Sequence, residues 1–150
     1  MKSTEEILSN LVQVCLDAKN RYHAAASHAS LGNLRSFLEE QERLRGLWAS
    51  ELQKKIAEMG GEPPKSGTIS GTVNRLAMDL NVDLAGDIVL VNRCEEDAEK
   101  TERECEKALA NSLPDSCREI VERQHQGIRD ARKKLEALRA KYEQAQAEAN

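Results

Sequence analysis

The sequence has few residues that interrupt regular structure and few motifs that mark common functional classes. Its 150 residues include only 3 prolines, 8 glycines, one tryptophan, two tyrosines and one phenylalanine. No apolar run approaches the roughly 18 residues that a membrane-spanning helix needs, so we expect no membrane association. The 22 basic and 26 acidic residues leave a net charge of -4, which disfavours a general nucleic-acid binder.

The cysteines also lack the spacing of common functional sites. They form no Cys-x-x-Cys pair and no histidines cluster with them, so neither a zinc knuckle nor a thioredoxin-type motif is indicated. We expect reduced, buried thiols that pack as small apolar groups at Cys15, Cys94, Cys105 and Cys117. The N-terminus has acids where a signal peptide would have positive charge and then an apolar stretch, so we expect a cytoplasmic protein.

Helix-forming residues are abundant. Alanine, glutamate, lysine, leucine and arginine make up about half of the chain, which is typical of long helices. A chain of this length can bury a real core as one domain, and we expect a single domain over residues 1–150.

Two amphipathic helices are predicted before residue 60. The capping-box spacing of Ser3 and Glu6 starts the first, whose apolar stripe is Ile7, Leu11, Val14, Ala18, Tyr22, Ala25 and Ala29. Asn33 is the predicted N-cap of the second, whose apolar stripe is Leu34, Phe37, Leu44, Trp48, Leu52, Ile56 and Met59. Gly60 and Gly61 are predicted to end it.

A long connection over residues 60–86 follows, because this stretch is rich in glycine and proline. Residues 72–80 are predicted to form a short helix within it. Asp87 is the predicted cap of a third helix that runs to about Asn111. Its apolar stripe contains Val91, Cys94, Ala98 and Cys105.

Pro114 suits the first position of a fourth helix, which should reach about Gln146. Its predicted stripe is Cys117, Ile120, Val121, Gln124, Ile128, Ala131, Leu135 and Leu138. The tail at about 143–150 is expected to fray. Two helical hairpins joined by one long crossover connection predict an all-α four-helix bundle.

Short motifs along most of the chain resemble a bacterial family of small ferritin-like proteins classed as a domain of unknown function. The motifs are Glu51-Leu52-Gln53, Gly60-Gly61-Glu62-Pro63, residues 67–71, Cys94-Glu95, Lys107-Ala108-Leu109, Leu113-Pro114, Val121-Glu122-Arg123-Gln124 and Gln126-Gly127. The resemblance extends from about Ile7 to Arg139. It implies a ferritin-like bundle, a fold that commonly holds two iron or manganese ions between its four helices.

The ligand pattern implied by the resemblance is incomplete in this chain. A two-metal site of this kind needs an inward Glu from each of two helices and an inward Glu-x-x-His from each of the other two. The one Glu-x-x-His pairs Glu122 with His125, and Glu122 points away from the core if Val121 faces it. Where the family has a His and then an acid, this chain has Arg132 and Lys133. The site is therefore predicted to be degenerate and the protein metal-free.

Few residues could still bind a metal ion. The candidate ligands are Glu95, Glu102 and His125, and we rank them below the metal-free alternative. In place of ions we predict a buried polar cluster formed by Tyr22, Gln41, Arg45, Glu95, Glu102 and Gln124. In this cluster Arg45 is expected to pair directly with Glu95 or Glu102, because a planar guanidinium binds a carboxylate with two hydrogen bonds.

Three functions remain open on the sequence alone. The favoured one is a metal-free, non-enzymatic bundle that acts as a stress-related or partner-binding protein, with an unknown protein partner and no cofactor. The second is an iron or manganese oxidoreductase or metal-binding protein, using Glu95, Glu99, Glu102 and His125 with ligands from a second subunit. The third is a scaffold that forms a homodimer along the fourth helix.

Overall fold

The computed structural model describes residues 2–67 and 86–149. In these ranges the chain forms α-helices and no β-strand, which confirms the predicted all-α class. The helices are α1 (Thr4–His28), α2 (Gly32–Glu58), α3 (Asp87–Leu109) and α4 (Asp115–Ala149). None of these helices has an apolar stretch long enough to cross a bilayer.

The helices pack as two hairpins that share one core. α1 packs along α2 and α3 packs along α4, while α1 also contacts α3 and α2 contacts α4. The first hairpin is close-packed because the end of α1 presents small buried side chains, at Ala18, Ala24, Ala25, Ala26 and Ala29. The short helix predicted for residues 72–80 lies outside the described residues.

Local signals account for most of the helix ends. Ser3 caps α1 as predicted, and its Oγ accepts a hydrogen bond from the backbone N–H of Glu6 at 3.2 Å. α2 ends in a Schellman motif, since Gly60 has a φ of 86° and the N–H of Gly61 donates to the carbonyl of Ile56. The prediction that Asn33 caps α2 is wrong. The helix begins at Gly32, and Leu31 takes the cap position without a side-chain hydrogen bond.

The prediction that Asp87 caps α3 is wrong, because Gly86 takes the N-cap position and Asp87 is the first residue of the helix. The Asp87 side chain instead ties three elements together. Its carboxylate accepts hydrogen bonds from the backbone N–H groups of Ser30 and Leu31, at 2.8 and 3.0 Å, and from the Tyr142 hydroxyl at 3.2 Å. Burial, followed by the charge of Asp87, raises the pKa of Tyr142 to about 12. The turn between α1 and α2 is thus fixed to α3 and α4.

The buried face of α2 differs from the predicted one. Leu34, Leu52 and Ile56 are buried as expected, but the rest of the face is Leu38, Gln41, Arg45 and Ala49. Phe37 and Trp48 are only partly buried, and Met59 is 44% exposed. The helix is therefore rotated relative to the predicted apolar stripe. Gln41, Arg45 and Ala49 face the centre, and the large side chains of Phe37 and Trp48 lie along its flanks.

The predicted face of α4 is buried nearly throughout, and the helix continues to Ala149 because its last residues are good helix formers. One position on this face requires glycine. A Cβ at Gly127 would lie 2.5 Å from Cζ2 of the Trp48 ring, which is closer than real Cβ atoms approach a neighbour. Trp48 therefore packs directly on the backbone of α4.

Gly127→Ala is expected to destabilise the protein by about 1–3 kcal/mol, because the ring of Trp48 must move to admit the methyl group. Gly46→Ala is the control, since its Cβ would meet only the Lys19 side chain at 3.5 Å. That variant should gain about 0.5–1 kcal/mol from better helix propensity. Urea unfolding measures both, and equal stabilisation by the two variants would contradict the packing of Trp48 on α4.

Candidate functional site

The centre of the four helices holds a positively charged side chain. Arg45 is 1% exposed, and its Cζ atom lies 5.3 Å from the ring centroid of Tyr22 and 4.9 Å from that of Trp48. A desolvated contact between a cation and an aromatic ring is worth roughly 2 kcal/mol. Among the described residues, Nε and Nη2 of Arg45 have no hydrogen-bond partner. The two rings are therefore the main contacts of this charge.

The predicted ion pair between Arg45 and a glutamate of α3 is wrong. Glu95 accepts a hydrogen bond from Nε of Arg139 at 2.6 Å, and Glu102 pairs with Arg132. Both of these arginines lie on α4, which runs antiparallel to α3 and places each one opposite its glutamate. The carboxylates of Glu95 and Glu102 are therefore neutralised at the rim of the bundle and do not reach its centre.

The remaining residues of the predicted polar cluster are buried. Tyr22, Gln41 and Gln124 are each no more than 2% exposed. Gln124 links α4 to α2, because its Nε2 donates to Oε1 of Glu51 at 3.0 Å and to the Trp48 carbonyl at 3.3 Å. The Tyr22 hydroxyl and Oε1 of Gln41 have no hydrogen-bond partner among the described residues.

Burial keeps three thiols and one phenol of the interior protonated. It raises the pKa of Cys15 and of Cys105 to about 12, and it raises the pKa of Cys94 and of Tyr22. The charge of Arg45 opposes each of these shifts but does not overcome burial. All four cysteines are free and buried. The three shifted thiols are therefore neutral at physiological pH and weak nucleophiles.

The interior does not fit a pair of metal ions. Among the described residues, its polar side chains are a phenol, two amides, a guanidinium, a hydroxyl and one carboxylate, from Tyr22, Gln41, Gln124, Arg45, Thr101 and Asp17. Iron and manganese sites need several anionic oxygens and imidazoles. A dication roughly 5 Å from a guanidinium is repelled by about 7 kcal/mol at an effective dielectric constant near 20. One carboxylate together with a guanidinium does not meet that need.

A different group of potential ligands lies between α3 and α4. Nε2 of His125 is 3.7 Å from Oε1 of Glu102 and 3.6 Å from Oε1 of Glu106. One ligand atom from each residue lies within 4.8 Å of the others. His125 Nε2 is buried and has no hydrogen-bond partner among the described residues. We call Glu102, Glu106 and His125 the α3–α4 triad.

The α3–α4 triad contains only part of the ligand set considered from the sequence. Glu122 is exposed, as expected for the residue that follows the buried Val121. Glu95 is held by Arg139, and Glu99 forms an exposed pair with Arg103. Sequence reasoning missed Glu106. The signal for it is its spacing of four residues from Glu102, which places both carboxylates on one face of α3.

A family model described as a domain of unknown function, DUF2383, matches residues 3–111. The chain belongs to this family. No curated protein matches the chain. The DUF2383 match includes α1, α2 and α3 and ends before α4, so the positions of His125, Arg132 and Arg139 lie outside it.

For this DUF2383 protein, Arg45→Met is expected to leave the free energy of unfolding unchanged or higher. Among the described residues the substitution removes a buried charge without separating an ion pair, and methionine fills much of the same space. The measurement is urea unfolding at neutral pH.

Arg21→Met is the matched control. Arg21 donates to Oδ1 of Asp97 at 2.6 Å, and the Asp97 side chain is only 9% exposed. Its loss should cost about 2 kcal/mol, because a buried carboxylate loses its partner. A larger loss in Arg45→Met than in Arg21→Met would contradict the assignment of Arg45 as an unpaired charge.

Proposed function

We propose that this chain is a non-enzymatic, ferritin-like helical protein that acts by binding a protein partner and has no metal pair in its interior. The observation that carries the proposal is Arg45, whose charge lies at the bundle centre between two aromatic rings. The ferritin-like part of the proposal is supported by the four helices and by the long stretch of chain between α2 and α3.

The chemistry of the interior supports the absence of catalysis. Three carboxylates of α3, those of Glu95, Asp97 and Glu102, are each paired with an arginine, so they are not available as general bases. The thiols of Cys15, Cys94 and Cys105 have raised pKa values because they are buried. The described part of the interior therefore offers neither an activated nucleophile nor a general base.

The surface supports a role in binding. Residues 143–149 of α4 are helical and exposed beyond Tyr142, the last residue of this helix that packs on the core. Leu47 is 52% exposed on the outer face of α2. Because residues 143–149 are polar on all sides of the helix, they bury little apolar surface within this chain. This end of α4 is therefore a suitable docking element.

A cytoplasmic location is part of the proposal. It is supported by the four free cysteines, because disulfides are rare where glutathione and thioredoxin keep thiols reduced.

A second copy of the chain, docked along α4, is an alternative partner that follows from the exposed end of α4. The molecular mass in solution distinguishes the two cases.

Incubation with ferrous iron in air tests the metal-free interior. The full chain is expected to bind no more than one iron per chain and to leave the rate of ferrous oxidation at that of buffer, because Arg45 repels cations from the centre. Binding is measured by elemental analysis after gel filtration, and oxidation by absorbance. Two bound ions per chain with accelerated oxidation would contradict the proposal.

A further inference from the structure

We propose that Glu102, Glu106 and His125, the α3–α4 triad, bind one divalent transition-metal ion such as zinc. This site is separate from the interior, because its ligands lie in the gap between α3 and α4. It does not depend on the proposed function, since a protein with a metal-free centre can hold one ion at its rim.

The separations within the triad match shared coordination better than hydrogen bonding. Distances of 3.6 and 3.7 Å exceed the roughly 3.2 Å limit of an N–H···O hydrogen bond. Two ligands of one tetrahedral zinc, each about 2.1 Å from the ion, are roughly 3.4 Å apart. A small closing of the side chains therefore gives a three-ligand site around one ion.

The condition of the imidazole points to a missing partner. Within residues 2–67 and 86–149, Nε2 of His125 is inaccessible to solvent and has no hydrogen-bond partner, although the side chain as a whole is 18% exposed. A buried polar atom without a partner costs free energy, and most such atoms in folded proteins are satisfied. A metal ion between Nε2 and the two carboxylates would satisfy it.

Arg132 orients one of the ligands. It pairs with Oε2 of Glu102, which leaves Oε1 of the same carboxylate directed at His125. Ligating carboxylates in metal sites are commonly held by such outer hydrogen bonds. The positive charge of Arg132 also lowers the affinity for a cation, so we expect moderate rather than tight binding.

The ligand types select the class of metal. One imidazole and two carboxylates suit zinc and cobalt better than magnesium or calcium, which prefer oxygen ligands alone. Glu106 is 56% exposed, so the fourth coordination position is open to water. The geometry thus corresponds to a three-ligand site with one open position.

The test is a titration of the untagged full chain with cobalt and with zinc, each as the metal alone. We expect one equivalent of either ion to bind, and zinc to displace cobalt. The cobalt spectrum should lack the charge-transfer absorption of thiolate ligands, because the cysteines are buried elsewhere. Circular dichroism confirms that each variant remains folded.

Three variants locate the site. His125→Gln should abolish binding and Glu106→Gln should weaken it at least roughly tenfold, because each removes a ligand. Glu122→Gln is the control: it neutralises a carboxylate on the same helix, three residues from His125, that faces solvent. Its affinity should match that of the unsubstituted chain.

Absence of binding at about 1 mM metal would overturn the proposal, as would binding that survives His125→Gln or is lost equally in Glu122→Gln. Failure of the triad proposal is distinguishable from failure of the proposed function. Ions in the interior would give two equivalents that do not depend on His125, whereas the triad gives one equivalent that does.

Discussion

The burial of one guanidinium constrains the rest of this structure. Arg45 is 1% exposed and its charge rests on the rings of Tyr22 and Trp48. Taking a cation out of water is costly, and aromatic contacts offset only part of that cost. The surroundings must therefore provide electron-rich faces and must exclude other cations. This constraint explains why α2 turns a polar face inward and places Trp48 at its flank, against the backbone at Gly127.

The burial of Arg45 also bears on where the other charged and polar groups of the molecule lie. Arg132 and Arg139 of α4 hold the two glutamates of α3 that could otherwise reach Arg45. Gln124, which is neutral, enters the interior and connects α2 with α4. Among the described residues, the centre holds the charge of Arg45 and protonated thiols, whereas Glu95 and Glu102 lie nearer the surface.

Much of the fold could be predicted from the sequence because local signals determine it. Ser3 and Gly60 mark helix ends through caps that need no tertiary information. The phase of α2 could be predicted only in part: Gln41 and Arg45 are buried as expected, but Phe37 and Trp48 of the predicted apolar stripe are only partly buried, and Trp48 stacks on Arg45 from the flank of the helix. The partners of Glu95 and Glu102 were missed for a related reason: the register between α3 and α4 decides which arginine faces each glutamate. Glu106 joins His125 through that same register.

The most direct test of this account observes the Arg45 side chain itself by nitrogen-15 NMR, with its Nε–H resonance assigned by comparison with Arg45→Met. The account predicts slow exchange with water, an upfield shift from the ring currents, and nuclear Overhauser contacts to ring protons of both Tyr22 and Trp48. An Nε–H that exchanges as fast as those of exposed arginines and has no contact with either ring would contradict it.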